Sequence, residues 1–232
     1  MIKKIKEIDN CYFIKIDCFF FLFLPFFLFI FFTRKEKEEF KNFKNRKRKI
    51  QFISGRIVGK FCVSQYFGRE KLRYKEIKIK REQKGNAYCF LKNKKIYLSI
   101  SHTDGISVAT CGNSKFIGID VEKKNKNIKK IAKKFLSKEE IEKTKGIPLI
   151  TLWCVKEAVA KALGTGFVFS PKDIFIQNID GEKFKIKLKG EFLSLFPEFE
   201  NKGIEVKTFK KYNYIFAFCN IGDNTNTFHL KK

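Results

Sequence analysis

The chain has 232 residues, 44% of them hydrophobic and 32% charged, a mixture that excludes an intrinsically disordered chain. At this length a fold buries roughly 70% of its extended surface, so neither a disulfide framework nor a structural metal is required. Against 24 Asp and Glu stand 50 Lys and Arg, and the net charge of +26 attracts nucleic acid, anionic membrane, nucleotide phosphates or an acidic protein, unless it is only a surface of solvated lysines.

The first distinctive segment is the uncharged run CFFFLFLPFFLFIFF, Cys18 to Phe32. Its 15 residues fall short of the ~20 that a membrane-spanning helix needs, and Pro25 interrupts it. Thr33-Arg34-Lys35 follows it in place of a small-residue cleavage site, which argues against a signal peptide. A buried strand pair or peripheral segment is expected here, with membrane-surface attachment as the alternative. Next, TRKEKEEFKNFKNRKRKIQF reads as an exposed helix, with Phe40 and Phe43 on one face. Ser54 is expected to cap a helix from about Arg56 to Phe67, stopped at Gly68.

Strands are predicted at Tyr74 to Ile79, Ile96 to Ile100, Ser107 to Cys111 and Ile117 to Val121. Helices are predicted at Ile128 to Phe135, Lys138 to Thr144 and Leu149 to Leu163, and four further strands near 173–176, 184–188, 204–209 and 214–219. Seven cysteines without CxxC spacing, most of them in apolar stretches, indicate a reducing, cytoplasmic compartment. GKFCVSQYFG (Gly59 to Gly68) aligns without gaps on VKEAVAKALG (Val155 to Gly164), matching Lys60 to Lys156, Val63 to Val159 and Gly68 to Gly164. The repeat predicts an α+β fold of two similar halves related by a pseudo-twofold, each a small antiparallel sheet on a long helix. The expected divisions are a Phe-rich, basic segment at 1–53, a first half at 54–112, a second half with the metal site at 113–222 and a polar tail at 223–232.

Three segments carry chemistry. In FIGIDVE (Phe116 to Glu122), Asp120 and Glu122 share one face of a strand, with Cα atoms ~6–7 Å apart. Such a pair suits Mg²⁺ or Mn²⁺, or is a strand end with two solvated acids. In WCVKEAVAKALGTG (Trp153 to Gly166), Glu157 and Lys161 share a helix face, as a surface ion pair or as site residues in an otherwise apolar helix. Lys156 and Lys161 could touch different parts of one ligand. Brought to Asp120 and Glu122, a third carboxylate, Glu157, and these cationic groups would build a site for magnesium and a pyrophosphate. In LSISHTDG (Leu98 to Gly105), Ser101, His102 and the turn's N–H groups could hold a phosphate, or His102 is simply a turn residue.

SISHT, then GIDVE, then WCVKEAVAKALGTG after 30 further residues, resemble the 4′-phosphopantetheinyl transferases. The likeness is to their monomeric, pseudo-duplicated branch, and SGRIVGK (Ser54 to Lys60) resembles the first half of that branch. The resemblance implies transfer of phosphopantetheine from coenzyme A to a serine of an acidic acyl or peptidyl carrier protein, with release of adenosine 3′,5′-bisphosphate. It implies Asp120, Glu122 and Glu157 on magnesium, and Lys161 on the phosphates and in proton transfer. Lys156 would face the pyrophosphate, Ser101, His102 and Arg56 the nucleotide end, and Lys41 and Lys44 further phosphates. Glu140 would assist as base or water holder. Gly85-Asn86-Ala87 stands where the family usually has Gly-Lys-Pro. No nucleic-acid partner is implied. The competing readings are a non-enzymatic basic protein on nucleic acid or a membrane surface, and a coenzyme A binder without transfer activity.

Overall fold

A computed structural model describes residues 2–68, 72–82, 85–91 and 93–221. The polar tail expected at 223–232 lies outside the described residues. The described residues divide into two compact units, one up to Lys115 and the other from Phe116 onward.

The first unit runs β1 (Ile2–Lys4), β2 (Cys11–Lys15), α1 (Cys18–Leu22), α2 (Leu24–Phe31), α3 (Arg34–Asn42), α4 (Arg46–Tyr66), β3 (Lys80–Arg81), β4 (Ala87–Leu91), β5 (Lys94–Thr103) and β6 (Ile106–Gly112). Its antiparallel sheet has the order β1-β2-β6-β5-β4-β3. The 21-residue α4 lies on β6, β5 and β2 and buries Ile53, Ile57, Val58, Cys62 and Val63. Gly59 permits that approach, because a Cβ there would stand 2.9 Å from the Ile100 side chain of β5.

The second unit runs β7 (Phe116–Lys123), α5 (Ala132–Phe135), α6 (Lys138–Lys143), α7 (Leu149–Leu163), β8 (Ile174–Asp180), β9 (Lys183–Leu188), α8 (Gly190–Leu195), β10 (Ile204–Lys211) and β11 (Tyr214–Ile221). Its antiparallel sheet has the order β7-β11-β10-β9-β8, so β7 is an edge strand. The apolar α7 covers β7 and β11 and stops at Gly164, whose φ of 76° needs no Cβ. Each unit is thus an antiparallel sheet with a long helix on it, as the internal repeat predicts.

The two aligned lysines do the same task in their units. Thr33 and Glu36 form a capping box at the start of α3, and Lys60 of α4 donates to Glu36 Oε2 at 2.6 Å and to the Phe31 carbonyl at 2.7 Å. Ser137 and Glu140 form the same box at the start of α6. Lys156 of α7 reaches Glu140 Oε1 at 2.6 Å and the Pro171 carbonyl at 3.1 Å. Both lysines are 0% exposed. In each unit an ammonium therefore ties the long helix to the first turn of a short one.

Several expectations are corrected. Residues 18–32 form α1 and α2 rather than a strand pair, with Asp17 capping α1 and Pro25 in the first turn of α2, where its missing N–H costs nothing. The helix given to Ser54 begins instead at Asn45, whose side chain accepts the Arg48 N–H at 3.2 Å. Ser54 sits inside α4, bonded to the Ile50 carbonyl and to Ser107 Oγ at 2.7 Å each. Tyr74–Glu76 is a 3-10 turn where a strand was expected, because Tyr74 stacks on Phe31 at 4.1 Å instead of joining the sheet.

Candidate functional site

Gly118, Asp120 and Glu122 alternate onto one face of β7. A Cβ on Gly118 would fall 2.0 Å from the Ala158 carbonyl oxygen and 2.6 Å from the Ala162 nitrogen, so this face is pressed against α7. The absent side chain lets α7 settle onto the strand, and the next two residues on that face are the carboxylates. Asp120 is 4% and Glu122 8% exposed.

From α7, Lys161 donates to Asp120 Oδ1 at 2.6 Å. Burial works against its charge, but Asp120 and Glu157 outweigh it and hold the ammonium above its usual range. Half-buried Glu157, one turn earlier, is pushed up to about 7 by burial, with the fields of Asp120 and Glu122 adding to the rise and Lys161 opposing it. Lys126, from the loop after β7, meets Glu122 Oε1 at 2.5 Å. The Cys154 thiol, buried on α7 and donating to the Ile215 carbonyl at 3.7 Å, is pushed up by burial and by Asp120.

Among the described residues no three His, Cys, Asp or Glu side chains already stand as a metal cluster. The donor set nevertheless fits a hard divalent cation. It consists of carboxylate oxygens, one satisfied by the ammonium of Lys161, one by that of Lys126, and the third carried toward protonation by burial and the other two.

The other expected residues lie elsewhere. Glu140 and Lys156 are sealed at 0% exposure, and Glu140 also accepts the Ser137 and Ile176 N–H groups at 2.9 Å each. Burial lowers the Lys156 ammonium to about 8 against the pull of Glu140. Neither presents an atom to a ligand, which corrects the expected base and pyrophosphate contact: the pair positions α7, the helix that carries Glu157 and Lys161.

In the first unit, Ser101 is buried and His102 exposed near the β5–β6 turn, where Gly105 has φ 87°. Arg56 stands on α4 with its guanidinium 5.2 Å above the Phe52 ring and 3.9 Å from Glu36. Its Nε makes no hydrogen bond within the described residues, and burial lowers its pKa. Lys41 and Lys44 are exposed, on the last turn of α3 and just beyond it. Asn86 takes up the loop where a lysine is usual, donating to the Lys115 carbonyl at 3.1 Å.

Sequence reasoning missed Gly118, Lys126 and Cys154. A glycine inside an apolar strand was the available signal for the first, since it marks close approach of another backbone.

The family model described as the 4′-phosphopantetheinyl transferase superfamily matches residues 116–219, the span of the second unit up to Cys219. Holo-[acyl-carrier-protein] synthase of Staphylococcus haemolyticus (strain JCSC1435) is 31% identical over 75 residues, 31% of this chain and 63% of that protein. The synthase of the same name from Bacillus subtilis (strain 168) is 30% identical over 83 residues, 33% of this chain and 68% of that protein. The chain thus spans just under two thirds of the first relative and just over two thirds of the second. A crystal structure of holo-[acyl-carrier-protein] synthase from Neisseria meningitidis aligns with 46% of this chain and 96% of its own at 24% identity and a TM-score of 0.36. With an α+β unit carrying three carboxylates and a lysine at the β7–α7 contact, the chain belongs to the 4′-phosphopantetheinyl transferase superfamily.

Proposed function

We propose that the chain transfers the 4′-phosphopantetheine arm of coenzyme A to a serine hydroxyl of an apo acyl or peptidyl carrier protein. The observation that carries this reading is the meeting of Asp120, Glu122, Glu157 and Lys161 at one contact, inside the segment that the family model covers. Asp120, Glu122 and Glu157 are assigned to a divalent cation, magnesium or manganese. When bound, it supplies charge neutralisation on the coenzyme A pyrophosphate.

Lys161 stays protonated and donates to phosphoryl oxygens as the negative charge shifts during attack. Glu157 takes the proton that the serine hydroxyl loses. The serine Oγ–phosphorus bond forms as the bridging phosphorus–oxygen bond breaks, and adenosine 3′,5′-bisphosphate leaves with the electron pair. Arg56, Ser101, His102, Lys41 and Lys44 are assigned to the nucleotide end and its phosphates by their match to the family. The +26 charge steers an acidic carrier and raises its on-rate at low salt.

Chromatographic detection of adenosine 3′,5′-bisphosphate from coenzyme A tests the reaction. Release should require both apo carrier protein and Mg²⁺, stop on adding EDTA, and be lost in Asp120→Asn. Release that ignores the carrier or the metal would refute it.

A further inference from the structure

The largest apolar feature that this chemistry leaves unused is the surface of α1 and α2. The two helices form one nearly continuous rod, since the Phe23 N–H reaches the Phe19 carbonyl at 3.1 Å and the Phe27 N–H reaches the Phe23 carbonyl at 3.0 Å. One face is spoken for. Phe20 is 2% and Phe31 4% exposed, Phe27 packs against both with ring centroids at 5.8 and 6.1 Å, and Phe31 stacks on Tyr74.

The opposite face is open. Phe19 is 62% exposed, Leu22 71%, Phe23 50%, Phe26 55% and Phe29 68%, at the i, i+3, i+4, i+7 and i+10 positions of a helical stripe. Such side chains expose on the order of 100–150 Å² each, so together about 500–750 Å², at or above the top of the ~300–600 Å² range of the largest apolar patch on an ordinary monomer. A helix that is apolar all round belongs in a buried setting, and here half of it faces outward.

The charge of the chain as a whole bears on the occupant of the patch. No charged residue falls between Cys18 and Phe32; Lys15 and Asp17 precede the run, Arg34, Lys35 and Lys37 follow it interleaved with Glu36, Glu38 and Glu39, and the whole chain carries +26. The Lys75 ammonium lies 4.8 Å over the Phe29 ring, at the border of the patch. The Arg34 side chain is 95% exposed and pairs with Glu38 at 3.2 Å, while Glu36 is turned inward to the buried Lys60. A second copy would bring another net charge of +26 to the same face and repel it. A carrier-like acidic protein complements the charge but offers no apolar depth for five large side chains. An anionic bilayer supplies both, with acyl chains for the aromatic stripe and headgroups for the bordering cations. The rod of α1 and α2, about 20 Å long at 1.5 Å per residue, is too short for a ~30 Å hydrocarbon core, and no described helix is long and apolar enough to cross a membrane.

We propose that α1 and α2 lie in the plane of an anionic membrane surface, with Phe19, Leu22, Phe23, Phe26 and Phe29 inserted and Lys75, Arg34 and Lys35 at the headgroups. This binding is independent of the transfer reaction proposed above.

Vesicle flotation of the full chain tests it, with phosphatidylcholine vesicles compared against vesicles in which about one quarter of the lipid is phosphatidylglycerol. The expected partition is about tenfold or more in favour of the anionic vesicles. Phe26→Glu/Phe29→Glu should lower that partition at least about tenfold with the thermal midpoint unchanged, because both side chains are exposed. Three results would each overturn the proposal: no binding to anionic vesicles, binding that the double variant leaves intact, or a wild-type dimer that the double variant dissolves.

Discussion

Replacing Lys156 by Met is the sharpest test of how α7 is held. The ammonium and its partner Glu140 are both 0% exposed and 2.6 Å apart, with two backbone N–H groups also on the carboxylate. Lys156→Met keeps the length of the chain but strands a buried carboxylate, and one-sided removal of a buried pair costs about 3–5 kcal/mol. Glu140→Gln strands the ammonium and turns one amide N–H toward a backbone donor, a loss of similar size. With both changes no charge is left buried, so the double variant should recover about 2 kcal/mol relative to the sum. Denaturant unfolding followed by fluorescence reads this locally, because Trp153 is the sole tryptophan, sits on α7 and packs against Phe135 and Phe167 at 5.2 and 5.1 Å. Additivity within about 0.5 kcal/mol, or a loss below about 1 kcal/mol for Lys156→Met, would refute the buried strut.

Glu157→Gln removes one of three mutually repelling carboxylates, so the unloaded protein should melt at a higher temperature while phosphopantetheine transfer falls by at least about two orders of magnitude; a lower midpoint would contradict the crowding. Gly118→Ala places a methyl 2.0 Å from the Ala158 carbonyl oxygen, and should cost about 3 kcal/mol or more with activity lost as α7 is pushed off β7; a neutral effect on the denaturation midpoint would sink that account. Burial lowers the Lys60 ammonium below 10.5, so between that lowered value and 10.5 the unfolded chain binds more protons than the folded one. The stability difference between wild type and Lys60→Met should therefore move in favour of the wild type as pH rises through that window, and a flat or opposite slope in pH-dependent unfolding would count against it.

Where local pattern decides structure, the sequence was legible. The apolar run of α7 with its glycine stop appears at Leu149–Leu163 as expected, and the alternation in Phe184 to Leu188 falls on β9. The start of α4 was not legible, because Arg46 to Lys49 carry no apolar period and the capping residue, Asn45, lies in a lysine-rich stretch. Ser54 has the residue type of a cap, but its hydroxyl bonds inside the helix and to Ser107 on β6, a partner 53 residues away. The same limit applied to Glu140. Its capping box is visible in SKEE, whereas the lysine that seals it comes from another helix. The spacing of FIGIDVE and WCVKEAVAKALGTG set out the carboxylates and Lys161, but the closeness of β7 and α7 depends on Gly118, whose meaning appears only when the helix is in place.

The central claim is phosphopantetheinyl transfer, and the intact mass of an apo acyl carrier protein incubated with this chain, coenzyme A and Mg²⁺ tests it most directly. The account predicts a gain of one phosphopantetheine, abolished by EDTA and by Glu157→Gln. An unchanged mass on several apo carriers, with coenzyme A still bound, would contradict it and leave a protein that holds the substrate without transferring it.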